Sequence, residues 1–364
     1  MRIISFRGKI VMEILYRFCV CKSFSLAKEN ECWPFMGLEG WFWKNMGGDM
    51  EEQYMDIEKV MQEIKKVIVG KDEIIEKVLM AILAGGHVLI EDIPGVGKTT
   101  LALAISKAMQ LDYRRMQFTP DVLPSDVLGF QMLSHDGRTQ YHPGSVMCNL
   151  FLADEINRTS SKTQSALLEV MEEGNVTVDG VTRPLPKPFI VIATQNPIGS
   201  VGTQMLPESQ MDRFMVRVTM GYPDAMSEID MLKDREEGNP LERVGNVLGK
   251  SELLMMQESV ENTYIHDAVY RYIAGLVQKT RENDMLALGV SPRGTIALTN
   301  MSKAAAYMAG RNYVIPDDVK KVFCEVTQHR MLLSPRARIN RTTMADVAKG
   351  ILSCVSAPKL QRKA

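Results

Sequence analysis

The chain has 364 residues, 45% of them hydrophobic and 24% charged, and its 43 Lys+Arg against 44 Asp+Glu leave a formal net charge of −1. That balance excludes a global electrostatic field for nucleic acid or an anionic membrane, and no run reaches the ~18 consecutive apolar residues of a membrane span. Six cysteines without paired spacing argue for reduced thiols in a cytoplasmic protein, and Cys19 and Cys21 are too close for a zinc site.

Residues 1–49 differ from the rest: they hold all three tryptophans, Trp33, Trp41 and Trp43, and three of the six cysteines. Arg2, Arg7 and Lys9 precede apolar residues, but Glu13 and Arg17 interrupt that run and no small-residue cleavage pattern follows, so no signal peptide is expected. Gly47-Gly48-Asp49 directly precedes Met50, whose codon is the expected start, with 1–49 an untranslated extension. The expected division is then a core at 50–222, a lid at 223–357 and a tail at 358–364.

From Ile57 to Ile68 the apolar residues follow helical spacing and stop at Gly70; a second helix is expected from Asp72 to Ala84. Gly70 is either a plain helix terminator or a place where a nucleotide base meets backbone. The apolar run His87–Ile90 then leads into Glu91-Asp92-Ile93-Pro94-Gly95-Val96-Gly97-Lys98-Thr99-Thr100, followed by a helix-forming stretch. Strand, glycine-rich turn ending in Gly-Lys-Thr, and helix together are the setting of a P-loop. Asp92 stands where the full spacing has its first glycine. In such a loop the backbone N–H groups of residues 92–100 cradle phosphates, the helix N-terminus adds positive potential, Lys98 neutralises the outer phosphates and the Thr99 hydroxyl is placed for Mg²⁺.

Tyr113–Phe118 reads as a strand and Thr119–Gly129 as a loop with one helical turn. Two short β-like pieces near Phe130–Leu133 and Arg138–Tyr141 flank a His135-Asp136-Gly137 turn. Asn149–Ala153 is a mostly apolar run ending in Asp154-Glu155. Continuous hydrophobicity fits a strand covered on both faces, and acids at its carboxyl end lie where parallel sheets bind ligands. This is a Walker B arrangement, with Asp154 for the Mg²⁺ shell and Glu155 polarising the attacking water.

A helix capped by Ser160 or Ser161 is expected to run to Glu173, then a hairpin about Asp179-Gly180. The strand Phe189–Thr194 sets Asn196 at another carboxyl end, and a helix ending in Met211–Phe214 and the strand Met215–Met220 complete an α/β pattern. Beyond Pro223 helices are expected at 225–237, 250–260, 266–281, 293–309 and 316–329, with no further strands.

In these stretches the chain resembles the AAA+ ATPases, and within them the MoxR-type family. The residues that carry the resemblance are the P-loop stretch, Leu152–Arg158, Lys162–Glu169, Ile192–Pro197, Leu206–Phe214 and Gly289–Arg293. Asp92 in the first-glycine position is usual in that family, whereas Val201–Met205 departs from its acidic residue and Tyr-Pro. The resemblance implies a P-loop NTPase αβα sandwich with a mainly parallel sheet, followed by an all-helical lid. It implies ATP and Mg²⁺, a homo-hexamer, Asn196 as sensor 1, Arg293 as a sensor 2 reaching the site from the lid, and Arg213 as an arginine finger for the next subunit. It also implies chaperone-like remodelling of a protein client or adaptor with a von Willebrand factor A domain. The alternatives are a nucleic-acid motor, disfavoured by the few basic residues of His135–Tyr141 and Val176–Arg183, and a nucleotide-sensing module with little turnover. No nucleic acid partner and no membrane insertion are expected.

Overall fold

The computed structural model describes residues 56–133, 138–196, 206–236 and 238–358. The expectations placed on 1–49, on the 135–137 turn, on 201–205 and on the tail from 359 lie outside them. Five strands form one parallel sheet: β1 (Val88–Glu91), β2 (Tyr113–Gln117), β5 (Leu150–Asp154), β8 (Ile190–Gln195) and β9 (Val216–Val218), in the order β2-β5-β8-β1-β9. Two antiparallel hairpins stand outside it, β3 (Gly129–Leu133) with β4 (Thr139–Pro143), and β6 (Asn175–Val178) with β7 (Val181–Pro184).

The apolar runs are continuous because each strand feeds two cores. Val88, Ile90, Leu150, Leu152, Ile190 and Ile192 face a core built with helices Asp72–Leu83 and Lys98–Ala108. Their neighbours Leu89, Phe151, Ala153, Val191 and Ala193 face a second core with Leu167, Leu168 and Phe214. Alternation along a strand sends successive side chains to opposite faces, so helices must cover both. The result is the αβα sandwich read from the sequence.

The lid packs onto the first core through Leu253, Met256, Ile273, Leu276, Leu298 and Phe323. Its long helices are Lys250–Glu261, Asp267–Arg281, Pro292–Met308 and Pro316–Thr327, close to the expected bounds. Two features were not foreseen. Leu286–Leu288 (β10) pairs antiparallel with Leu332–Leu333 (β11), runs too short to carry a period of their own. The helices Pro335–Ile339 and Met344–Cys354 follow, the second started by Thr343 and Asp346, whose groups cap each other's backbone N–H.

A buried ion pair joins lid to core. Arg330, with 2% of its side chain exposed, donates from Nε to Asp212 Oδ1 at 2.8 Å and from Nη2 to the carbonyls of Asp212 and Phe214 at 3.1 and 2.6 Å. Asp212 Oδ2 accepts from the Ser291 hydroxyl at 2.8 Å, and Ser291 Oγ also accepts the Gly294 N–H at the start of a lid helix. Gly294 has to be glycine, because a Cβ there would lie 2.7 Å from Arg330 Cδ.

Two stability predictions follow from these contacts. Removing one member of a buried charge pair leaves the other unpaired, so Asp212→Asn should cost about 3–5 kcal/mol in urea unfolding; a loss below the scatter of surface variants would contradict this. His87, fully enclosed at the start of β1, accepts the Val191 N–H at Nδ1 (3.1 Å) and donates from Nε2 to Met171 O (3.1 Å). Burial pushes its pKa down to about 4 from an ordinary 6.5. The unfolded chain therefore takes up this proton first as pH falls, and the stability it represents declines from pH 6.5 and is gone near pH 4, a loss on the order of 3 kcal/mol. Unfolding free energies of His87→Gln measured across that window should fall less steeply than those of the wild type, and equal slopes would refute the assignment.

Candidate active site

Lys98 opens the helix Lys98–Ala108 directly after the turn that follows β1. Gly95 and Gly97 have φ of +88° and +92°, a left-handed backbone that only glycine adopts without strain. These bends turn the 92–98 backbone around the helix N-terminus, where N–H groups and the helix dipole favour an anion. The Lys98 side chain folds back into its own loop, Nζ donating to Asp92 O at 2.6 Å and Ile93 O at 3.1 Å. Burial pulls its pKa below the usual lysine value, and the charges of Asp92, Asp154 and Glu155 oppose that pull. Pro94 and Gly95 are exposed at the tip, while Val96, Thr99 and Thr100 are half-buried.

Asp92, read with the phosphate-binding stretch, makes a different contact. Its buried carboxylate accepts the Ile93 N–H at 2.8 Å and the Gly221 N–H at 2.6 Å. Gly70 lies against Ser227, at the start of the helix Ala225–Glu236, so closely that a Cβ would come within 2.2 Å of the Ser227 hydroxyl oxygen.

The acids at the end of β5 lie beside the ends of β2 and β8. Asp154 Oδ1 accepts from the Thr194 hydroxyl at 2.6 Å, and Oδ2 accepts from Arg115 Nη2 and Nε at 2.6 and 3.1 Å. Glu155, at φ +58°, turns its carboxylate to Asn196 Nδ2 at 2.9 Å and Gln117 Nε2 at 2.8 Å, and pairs with Arg158 at 3.1 Å. The Thr194 hydroxyl also accepts the Glu155 N–H at 2.8 Å, so one side chain fixes both acids. Asn196 is buried, and among the described residues its Oδ1 has no hydrogen-bond partner. A buried amide oxygen without a partner loses free energy, and a water held against it would satisfy it.

The donor set fits nucleotide and a hard divalent cation. The phosphate side offers Lys98 and loop N–H groups, and the cation side offers the Thr99 hydroxyl and the Asp154 carboxylate, both oxygen donors. Arg115, Gln117 and Thr194 escaped the sequence reading. The first two alternate along β2 at partly exposed positions, a pattern that marks a strand but assigns no role.

The two arginines meet elsewhere. Arg213 donates from Nη1 to Leu168 O at 2.6 Å and pairs with Glu172 Oε2 at 3.2 Å, and Arg293 is hydrogen-bonded to Glu172 Oε1. They lie at the edge where strands begin, beside Gly86, His87 and Met215, while Lys98 and Glu155 lie where strands end. From His87 to Asp92 the extended chain covers about 16 Å. Arg293 thus has a placement beside Arg213 rather than beside Lys98. Its cause is the Ser291–Asp212 bond, which anchors the start of helix Pro292–Met308 beside Arg213. Glu172, Asp212 and Arg330 were not singled out from the sequence; Asp212 sits inside the quoted Met211–Phe214 stretch and was the one legible hint.

Among the described residues no three His, Cys, Asp or Glu side chains form a metal cluster, and no helix is long and apolar enough to cross a membrane.

Comparison with known proteins agrees with this geometry. Residues 87–216 match the ATPase family associated with various cellular activities (AAA), and 278–349 match the AAA lid domain. An uncharacterized Bacillus subtilis protein, YeaC, is 47% identical over 309 residues, 84% of this chain and 96% of its own length. Chaperone MoxR1 of Mycobacterium tuberculosis is 36% identical over 315 residues, 84% of this chain and 83% of its own. A crystal structure of a Cytophaga hutchinsonii protein provisionally described as an ATPase superposes with a TM-score of 0.81 at 36% identity, covering 87% of this chain and 99% of that one. The chain belongs to the MoxR-type AAA+ ATPases.

Proposed function

We propose that the protein hydrolyses ATP with Mg²⁺ in a ring of identical subunits, and that turnover drives chaperone-like remodelling of a protein client. The observation that carries the reading is the Glu155–Asn196 contact, 2.9 Å, with the unpartnered Asn196 Oδ1 beside it. A carboxylate and an amide oxygen side by side can hold and orient a water for in-line attack on the γ-phosphate. Lys98 exchanges its loop carbonyls for phosphate oxygens, a better partner for a half-desolvated ammonium. Thr99 and Asp154 would hold Mg²⁺, which when bound supplies positive charge against the phosphoryl oxygens. Arg115 now supplies that charge to Asp154.

Arg213 and Arg293 lie at the edge opposite their own P-loop, so their charge serves the ATP of an adjacent copy. Guanidinium groups there would stabilise charge spreading over the transferred phosphoryl oxygens. Glu172 holds both until that site is offered. Family membership supports an oligomer; the homo-hexamer and a client or adaptor with a von Willebrand factor A domain are its finer extension, and the printed name of the mycobacterial relative supports the chaperone role.

A protein client is favoured over nucleic acid by the two hairpins. Phe130, Met132, Leu133 and Val181 are 47%, 52%, 69% and 46% exposed, and Arg183 is occupied over the Tyr141 ring at 4.0 Å. Such a surface offers apolar contact rather than a phosphate-binding groove.

Phosphate release tests the reading. With Mg²⁺ and ATP the wild type should turn over, and Glu155→Gln should lose about 10²–10⁴-fold in kcat while retaining bound ATP. Equally negligible release by both proteins, measured on assembled oligomers, would favour a nucleotide-sensing module instead.

A further inference from the structure

Asp92 occupies a position where the P-loop spacing asks for glycine, and it is 4% exposed with no cation among the described residues hydrogen-bonded to its carboxylate. Its two oxygens bridge separate parts of the chain. Oδ1 takes the Ile93 N–H inside the phosphate loop, and Oδ2 takes the N–H of Gly221, the residue at which the chain leaves the core for the lid. Gly221 has a φ of +64°, a conformation that fixes a sharp turn there. Charge-assisted bonds of 2.8 and 2.6 Å make this bridge strong for its size.

Two further contacts hold the same stretch from residues 70–71. Lys71 Nζ donates to Tyr222 O at 2.8 Å, and Gly70 packs against Ser227, whose N–H is capped by Asp224. They secure the start of the helix Ala225–Glu236, of which Ser227 alone is buried. This helix therefore takes its position from the Asp92 bridge and from residues 70–71 rather than from a buried apolar face. On its other side Asp92 touches the nucleotide machinery directly, because Lys98 donates to the Asp92 carbonyl.

We propose that Asp92 is a positioning residue that transmits phosphate occupancy to the lid linker. The proposal rests on ATP being the ligand of the loop. When phosphate draws Lys98 away from the carbonyls of Asp92 and Ile93, the peptide planes on both sides of Ile93 are released from that bond. The carboxylate is fixed to one of those planes through the Ile93 N–H, so their reorientation moves the acceptor that holds Gly221. The helix beyond Gly221 then changes position with the state of the nucleotide. A glycine at 92 would let the loop bind phosphate and leave the linker unaware of it.

Hydrogen exchange and steady-state kinetics on full-length wild type, Asp92→Asn and Asp92→Gly test this. Asparagine keeps the shape and loses one acceptor; glycine is the residue that the loop spacing accommodates, so a folded variant is available even if one substitution is disruptive. In the wild type, a non-hydrolysable ATP analogue should change amide protection across 221–236. In both variants that change should disappear and kcat should fall at least tenfold, while KM and analogue affinity stay within about threefold. Nucleotide-dependent protection of 221–236 retained in a variant would overturn the proposal, and so would a loss of analogue binding as large as the loss of turnover, which would return Asp92 to the binding site itself. A wild type that binds no analogue would instead refute the ATP reading, so the two failures are distinguishable.

Discussion

Parallel strands have a beginning and an end, and this sheet divides its chemistry between the two. Every strand that contributes to the phosphate site ends there: β1 delivers the loop to Lys98, β5 delivers Asp154 and Glu155, and β8 delivers Thr194 and Asn196. Gly86, His87 and Met215, which precede β1 and β9, lie at the other edge, and Arg213, Arg293 and Glu172 gather beside them. Side-chain reach cannot cancel a strand length, so the two groups cannot meet within one copy. The proposed function joins them by an assembly in which one edge faces the other.

The same division explains how the lid is held. Two aspartates tie it to the core, one at each edge: Asp92 through the Gly221 N–H, and Asp212 through Ser291 and Arg330. Neither bond is a surface ion pair of the kind that water weakens. The Asp212 node is the more enclosed, with Arg330 spending its remaining donors on the carbonyls of Asp212, Phe214, Met215 and Val326. It sets Arg213 and Arg293 beside each other. The Asp92 node sits next to Lys98, which donates to the Asp92 carbonyl.

The sheet and most helices were legible because their signals are local: apolar runs bounded by glycine, Asp-Gly at a hairpin, Ser160 before a helix. Lys98, Asp154, Glu155 and Asn196 were legible for the related reason that strand ends in a parallel sheet converge. The placement of Arg293 beside Arg213 was not legible, because it depends on how the lid docks through Ser291, Asp212 and Arg330, separated by up to 118 residues. Arg115 and Gln117 were invisible because register, rather than composition, brings β2 beside β5, pairing Gln117 with Asp154. The β10–β11 pair was missed since two or three residues carry no period.

The central claim is that one active site is built from two copies of the chain, and mixing two inactive variants tests it most directly. Lys98→Ala damages the phosphate side and Arg213→Ala the opposite edge, so each alone should release no phosphate above background. In a mixture, interfaces that pair an intact P-loop with an intact arginine edge reappear. The account predicts that phosphate release recovers to a substantial fraction of the wild-type rate, rising with the extent of subunit exchange. A mixture that stays as inactive as its components, despite demonstrated co-assembly, would contradict it.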